Sequence, residues 1–267
     1  MKYFSLFVVT VCLGVYLVLS YWEHHYKSLA QVEIDALREA GYATTVEEIH
    51  ARIPVLSDEE NAATLYREGF ALFTDVDMED RSTSLVPLFG EVEVGEPFSE
   101  EALEAIREFL LLNGESLDKY HAAVELKEAV FVSDYSAGIE LELSHLSELR
   151  AVTKLLCLEA EYALYTGDVD RAEGAFLDAF GASQTLKNEY VLISQLVGIS
   201  LEEIVLRTFE RMLNNGELSR EVIEEISRGS LERDPISCFK IAIQGHIAMG
   251  NVSYHEFLEY YKNNMSG

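Results

Sequence analysis

Gly167-Asp168-Val169-Asp170-Arg171-Ala172-Glu173-Gly174-Ala175-Phe176-Leu177-Asp178-Ala179 reads as a turn and the opening of a helix. Gly167 suits a chain reversal and Asp168 suits a helix amino end, where a short acceptor side chain meets unpaired backbone N–H groups. Ala172, Phe176 and Ala179 are spaced by four and three, so they share one helical face. Small residues there let a second helix approach closely, and the aromatic ring fills the gap between them. Upstream, Leu156, Ala160 and Ala163 offer a face of the same kind. The expectation is an antiparallel helical hairpin, and it sets the fold class as all-α.

The flanking segments extend this pattern. Helices are expected over about 144–166, 169–187 and 190–213. The last begins with the uncharged run YVLISQLVGISL, too short to cross a bilayer and read as the buried centre of the domain. Asn214-Asn215-Gly216 closes it, and Ser219 caps a helix carrying Val222, Ile223 and Ile226. Asp234-Pro235 opens another, with Ile236, Phe239, Ile243 and Ile247 expected to face inward and Gly250 to end it. A short helix holding Phe257, Leu258 and Tyr261 follows.

Toward the amino end, Thr45 and Glu48 form a capping box ahead of a short helix that stops before Pro54. Ser57 or Asp58 is expected to cap a helix reaching Phe73, with Tyr66, Phe70 and Phe73 on one face. Ser99 caps the next, with Leu103, Ile106 and Leu110 as its stripe. Asn113-Gly114 separates it from a helix over about 116–129. Residues 74–98, with Asp75, Asp77, Glu79, Asp80, Pro87, Gly90, Gly95 and Pro97, form a long irregular stretch; Glu91-Val92-Glu93-Val94 alternates as a short strand would. A second irregular stretch covers 131–139.

Tyr3 to Trp22, YFSLFVVTVCLGVYLVLSYW, carries no charged side chain. At about 1.5 Å per residue, such a helix spans a hydrocarbon core about 30 Å thick. The run is longer than the apolar core of a cleaved signal and no small-x-small site follows it, so a retained single-pass anchor is expected over residues 1–22. Tyr21 and Trp22 suit the headgroup boundary, and Leu29, Val32, Ala36 and Ala40 continue the helix to Gly41. The remainder, 23–267, reads as one acidic all-α domain, placed outside the cytoplasm by the preferred orientation.

The chain has 267 residues and a formal net charge of -27. Such a surface repels phosphate backbones and anionic headgroups, which argues against nucleic-acid binding and against a domain lying on the lipid surface. Cys12 lies in the apolar run, and Cys157 and Cys238 in apolar, helix-like surroundings, so buried free thiols are favoured over a bridge.

Chemistry-bearing motifs are sparse. Glu47 with His50, and Glu142 with His145, match the Glu-x-x-His spacing of carboxylate-bridged metal bundles, but a Glu-rich chain generates such matches by chance. Glu23-His24-His25 points adjacent imidazoles apart on a helix. Asp75, Asp77 and Glu79 lack the rest of a calcium loop, and His255-Glu256 lacks the second histidine of a zinc protease. No phosphate-binding glycine loop or nucleophile elbow is present in the sequence. No catalytic, metal-ligating or cofactor-binding residue is therefore assigned, and no cofactor is expected.

The Gly167–Ala179 segment resembles the turn and second helix of a tetratricopeptide repeat, with Leu156 where that repeat carries tryptophan; no second copy follows at its spacing. Asp134-Tyr135-Ser136-Ala137-Gly138, His145-Leu146-Ser147-Glu148-Leu149-Arg150 and Leu192-Ile193-Ser194-Gln195-Leu196-Val197 resemble a second group. So do Ala36-Leu37-Arg38-Glu39-Ala40-Gly41-Tyr42 and Asp58-Glu59-Glu60-Asn61-Ala62-Ala63. That group is a family of uncharacterised, single-pass, exported helical proteins of planctomycete-like bacteria. The resemblance implies a bacterial inner-membrane location and brings no activity. The leading expectation is a membrane-anchored scaffold for a protein partner. The rival is a tethered enzyme or ligand receptor, with Asp134, Tyr135, His145 and Arg150 gathered at one pocket.

Overall fold

The computed structural model of the chain describes residues 2–74, 98–126, 128–132, 134–232, 234 and 236–250. Within these, side chains are described except at 2–12, 23, 139 and 230–232. The described structure is helical: α1 Lys2–Glu39, α2 Val46–His50, α3 Ala62–Leu72, α4 Glu100–Leu112, α5 Gly114–Val124, α6 His145–Tyr165, α7 Val169–Gln184, α8 Leu192–Asn215, α9 Arg220–Glu232 and α10 over 236–250. Among the described residues one parallel bridge, Asn61 to Glu128, is formed.

The hairpin read from Gly167 is present as α6–turn–α7. Gly167 takes a φ of 84°, and the Asp168 side chain accepts from Arg171 N at 3.3 Å. Leu156, Ala160, Ala163, Ala172, Phe176 and Ala179 are all buried. Both helices rest on α8, whose Phe209 ring stacks on Phe176 at 5.5 Å between centroids. Because α8 runs unbroken from Leu192 to Asn215, the helix–turn–helix unit does not recur along this stretch. Cys157, fully buried here, is a free thiol that burial pushes up to about 12; Cys238 is also free and buried.

The amino half forms a second layer. α3 packs on α5, and α4 and α5 reach α6 and α7 respectively. Tyr66, Phe70, Tyr120 and Phe131 form one aromatic cluster with centroids 5.9–6.3 Å apart. The Thr45–Glu48 capping box is formed and α2 follows it. Gly41, at φ 85°, ends the run of α1.

Four expectations are corrected. α3 starts at Ala62, not near Ser57, because the Glu60 carboxylate folds back to accept from Ser57 N and Oγ, and Asn61 becomes the cap. The same Asn61 side chain accepts from Val130 N and donates to Val130 O, which holds the 128–132 strip beside α3. α5 therefore ends at Val124, before the bridge at Glu128, instead of running on to about 129.

The uncharged start of α8 is not wholly buried. Ser194, Gln195, Gly198 and Leu201 face in, while Ile193, Leu196 and Ile199 are 48%, 45% and 41% exposed. α10 is rotated from its expected setting. Cys238, Ala242, Ala248 and Met249 face in, and Ile236, Phe239 and Ile243 are 65%, 39% and 54% exposed. Asp234 caps this helix by accepting from Ile236 N and Ser237 N, each at 3.1 Å. Its facing is set by Gly245, whose Cα lies against the backbone carbonyl of Tyr190, and by Gln244, which accepts from Ala43 N at 2.8 Å.

α1 carries the Tyr3–Trp22 run as continuous helix, but its side chains ahead of Leu13 lie outside the described residues. Among the described residues no helix is long and apolar enough to cross a membrane. The 75–97 stretch, with its alternating Glu91–Val94, and the helix expected around Phe257 also lie outside them.

Candidate functional site

The four residues of the rival reading do not gather. Tyr135 is 1% exposed, and its hydroxyl accepts from Tyr190 N at 3.2 Å, which fixes the 185–191 loop. His145 is buried at the start of α6. Its ring stacks on Phe131 at 4.8 Å, and its Nε2 lies 2.9 Å from Glu189 Oε1. Asp134 is exposed, and its Oδ1 accepts from Ser136 N at 2.8 Å in a local turn. Arg150, more than a helical turn beyond His145, is exposed and donates to Ser200 Oγ of α8 at 3.3 Å. Tyr135 and His145 meet the same loop at adjacent residues; Asp134 and Arg150 point to other partners.

The two Glu-x-x-His pairs have other duties. His50 Nε2 accepts from Tyr135 N at 3.0 Å and lies 3.5 Å from Asp134 Oδ1. His145 is held by Glu189 from another element. Among the described residues, no group of three His, Cys, Asp or Glu side chains is arranged to hold a metal ion.

The cavity closest to this chemistry is a cleft of about 370 Å³ where four separate segments meet. Arg52 and Ile53 follow α2, Glu128 to Val132 form the strip beside α3, Asn188 to Tyr190 belong to the loop before α8, and Ile241 comes from α10. Its floor is buried: Phe131, Val132, Tyr135 and Glu189. Arg52, Glu128 and Asn188 are exposed at its mouth. The Arg52 guanidinium is tied down by Gln244 Oε1 and Gly41 O, each at 2.9 Å. Glu189 is 5% exposed, and its Oε2 receives no hydrogen bond from the protein. Sequence reading missed Glu189, since Lys187-Asn188-Glu189-Tyr190 has the composition of a solvated turn.

A second charged cluster lies where α5 meets α6 and α7. His121 Nδ1 lies 2.5 Å from Asp178 and Nε2 3.0 Å from Glu159, while Arg171 donates to Glu159 Oε1 at 2.8 and 2.7 Å. Donation to Asp178 and then Glu159 raises the imidazole from 6.5 to about 9. Glu159 is lowered although burial opposes it, because His121 and Arg171 together outweigh that penalty. The arrangement is a closed electrostatic clamp with both imidazole nitrogens occupied.

The raised histidine gives a pH dependence. Its stabilisation is complete below about pH 6.5 and is lost as pH rises through about 9. With the ring one-third exposed, solvent screening leaves this at about 1–2 kcal/mol. The unfolding free energy from urea titration is expected to fall by that amount between pH 6.5 and pH 9.5 in the wild type. The His121→Gln variant should show a flatter profile over the same interval; equal slopes would exclude the clamp.

No protein-family model, curated protein or solved structure matches this chain.

Proposed function

We propose that this chain is a membrane-anchored interaction protein, its α-helical domain docking a protein partner through apolar residues that its own fold leaves outside. The observation that carries the reading is the outward setting of Ile193, Leu196 and Ile199 on α8 and of Ile236, Phe239 and Ile243 on α10. Scattered exposed apolar side chains are ordinary, but regular spacing along one helix is what a partner surface requires. Each set repeats at three or four residues, so each lies along one helical edge. The α6–α7 hairpin, built on small residues as in tetratricopeptide units, supports the same class of function.

The uncharged Tyr3–Trp22 run supports anchoring by a single span, and the resemblance noted above supports a bacterial inner membrane with the domain exported. The acidic surface keeps the domain off anionic headgroups and disfavours nucleic acid as a partner.

The test is crosslinking and affinity capture from the native membrane, comparing wild type with Leu196→Glu and Phe239→Glu. Each substitution, at a half-buried side chain, is expected to lower the unfolding free energy by no more than about 1–2 kcal/mol, leaving the domain folded. Each is also expected to remove a partner that the wild type retains in stoichiometric amount. Capture of the same proteins by all three chains, or of none by the wild type, would overturn the reading.

A further inference from the structure

We propose that the outward face of α8 is a docking seam for a basic amphipathic helix of a partner protein, whose Lys or Arg side chains meet Glu203 and Glu210. The proposal rests on the docking reading above and gives that partner its chemistry.

The first ground is spacing. Leu196, Ile199, Glu203, Leu206, Glu210 and Leu213 follow one another in alternating steps of three and four residues, and all six are exposed. Such steps keep one seam turned toward a second helix as the two wind around each other. From Leu196 to Leu213 the seam is about 26 Å long, at about 1.5 Å per residue. The opposite side of α8 is already used. Leu201, Val205, Thr208 and Met212, about 200° around the helix, are buried where α8 packs on α6 and α7. A face meant only for water is polar, yet Ile199, Leu206 and Leu213 recur on this one at every second turn.

The second ground is charge. Any helix laid along the seam takes water away from Glu203 and Glu210, and a carboxylate that loses water needs a cation or donors in return. Glu203 has Arg207 of its own helix at 2.7 Å, whereas Glu210 has no ion-pair partner among the described residues. Arg150, at the margin, donates to Ser200 Oγ. The compensating charge therefore comes from the partner. Lys and Arg also lay their hydrocarbon stems over apolar neighbours, so they suit a seam in which acids alternate with leucines.

Other occupants fit less well. Two copies of this chain each carry a net charge of -27 and repel. Pairing two α8 helices in parallel sets Glu203 on Glu203 and Glu210 on Glu210. The antiparallel register that matches Leu196 to Leu213 sets Glu203 on Leu206 and Glu210 on Ile199. Neither brings a cation to the seam. Anionic headgroups are repelled by the same carboxylates.

The probe is a synthetic peptide of about three heptads, with leucine and lysine alternating along its seam and neutral residues elsewhere. Its counterpart carries glutamate for each lysine. Both are titrated into the full chain held in phosphatidylcholine nanodiscs, with empty nanodiscs as the blank. The lysine peptide is expected to bind saturably at about 100 μM or below, and the glutamate peptide about tenfold more weakly or worse. The double variant Glu203→Lys, Glu210→Lys is expected to reverse that preference. Leu206→Asp separates docking from general attraction: it adds negative charge, which strengthens diffuse binding of a basic peptide, but it removes the apolar centre of the seam and is expected to abolish saturable binding. No saturable binding, equal affinity for the two peptides, or an unchanged preference in the double variant would overturn the proposal. So would a dimeric chain that Leu206→Asp makes monomeric, since the seam would then belong to a second copy. If Leu196→Glu still releases a native partner while the lysine peptide fails to bind, the docking reading stands and this inference alone falls.

Discussion

Arg211→Ala is expected to destabilise the domain by about 3–5 kcal/mol, the usual cost of stranding one member of a buried ion pair. Arg211 of α8 and Glu161 of α6 are 8% and 4% exposed. The guanidinium Nε donates to Glu161 Oε1 at 2.9 Å, and its NH2 group donates to the same oxygen and to Thr208 Oγ1. Burial pushes the Glu161 carboxyl upward even with Arg211 in place, since desolvation outweighs the guanidinium's attraction. Without Arg211 only the Thr208 hydroxyl opposes that burial, so the carboxylate must ionise without a charged partner or take up a proton.

Urea denaturation at pH 7 and pH 5 distinguishes this from a simple loss of packing. In the variant, folded Glu161 has a pKa above that of the unfolded chain, so the penalty is present at high pH and relieved as pH falls. The loss at pH 5 should be visibly smaller than at pH 7. A double replacement, Arg211→Met with Glu161→Met, removes both charges and is expected to lie within about 1–2 kcal/mol of wild type. A loss below about 1 kcal/mol for Arg211→Ala would mean that water reaches Glu161.

What was legible in the sequence was local. Gly167 and Asp168 announce the α6–α7 turn because a positive φ and an amino-terminal cap each demand particular residue types within a few positions. The Thr45–Glu48 box is readable for the same reason.

The misses concern choices made between distant segments. Asn61, not Ser57 or Asp58, caps α3 because it also bonds both backbone groups of Val130, 69 residues away. Glu189 looks solvated in sequence; in the structure it is buried with one oxygen 2.9 Å from His145, 44 residues earlier, a contact that nothing local announces. Ile193, Leu196 and Ile199 belong to a run with no charge, so hydrophobic content alone assigns the whole of it to the interior. The structure divides it, because the inward face already holds Ser194, Gln195, Gly198 and Leu201.

The rotation of α10 yields the second large effect. Counting apolar residues puts Ile236, Phe239 and Ile243 inside, yet Cys238, Ala242, Gly245 and Met249 face in, at spacings of four, three and four. This small-residue face allows close approach, and the closest point is Gly245 against Tyr190 O. A Cβ at this position would overlap that carbonyl oxygen and the Tyr190 carbonyl carbon, and backbone cannot turn aside as a side chain can. Gly245→Ala is therefore expected to lift α10 off the 185–191 loop and cost about 3 kcal/mol or more, at or beyond the upper end of ordinary overpacking. Gln244 would lose Ala43 N and Arg52, now at 2.8 and 2.9 Å, and Cys238, now 6% exposed, would become open to alkylation. Thiol labelling and amide exchange along 236–250 report the displacement directly. Gly174→Ala is the control, because a Cβ there meets nothing within 4 Å and a helix interior gains about 0.5–1 kcal/mol from the exchange. If Gly245→Ala labels no faster than wild type and melts like Gly174→Ala, α10 is not seated on Tyr190 by its small face, and the outward setting of Phe239 loses its cause.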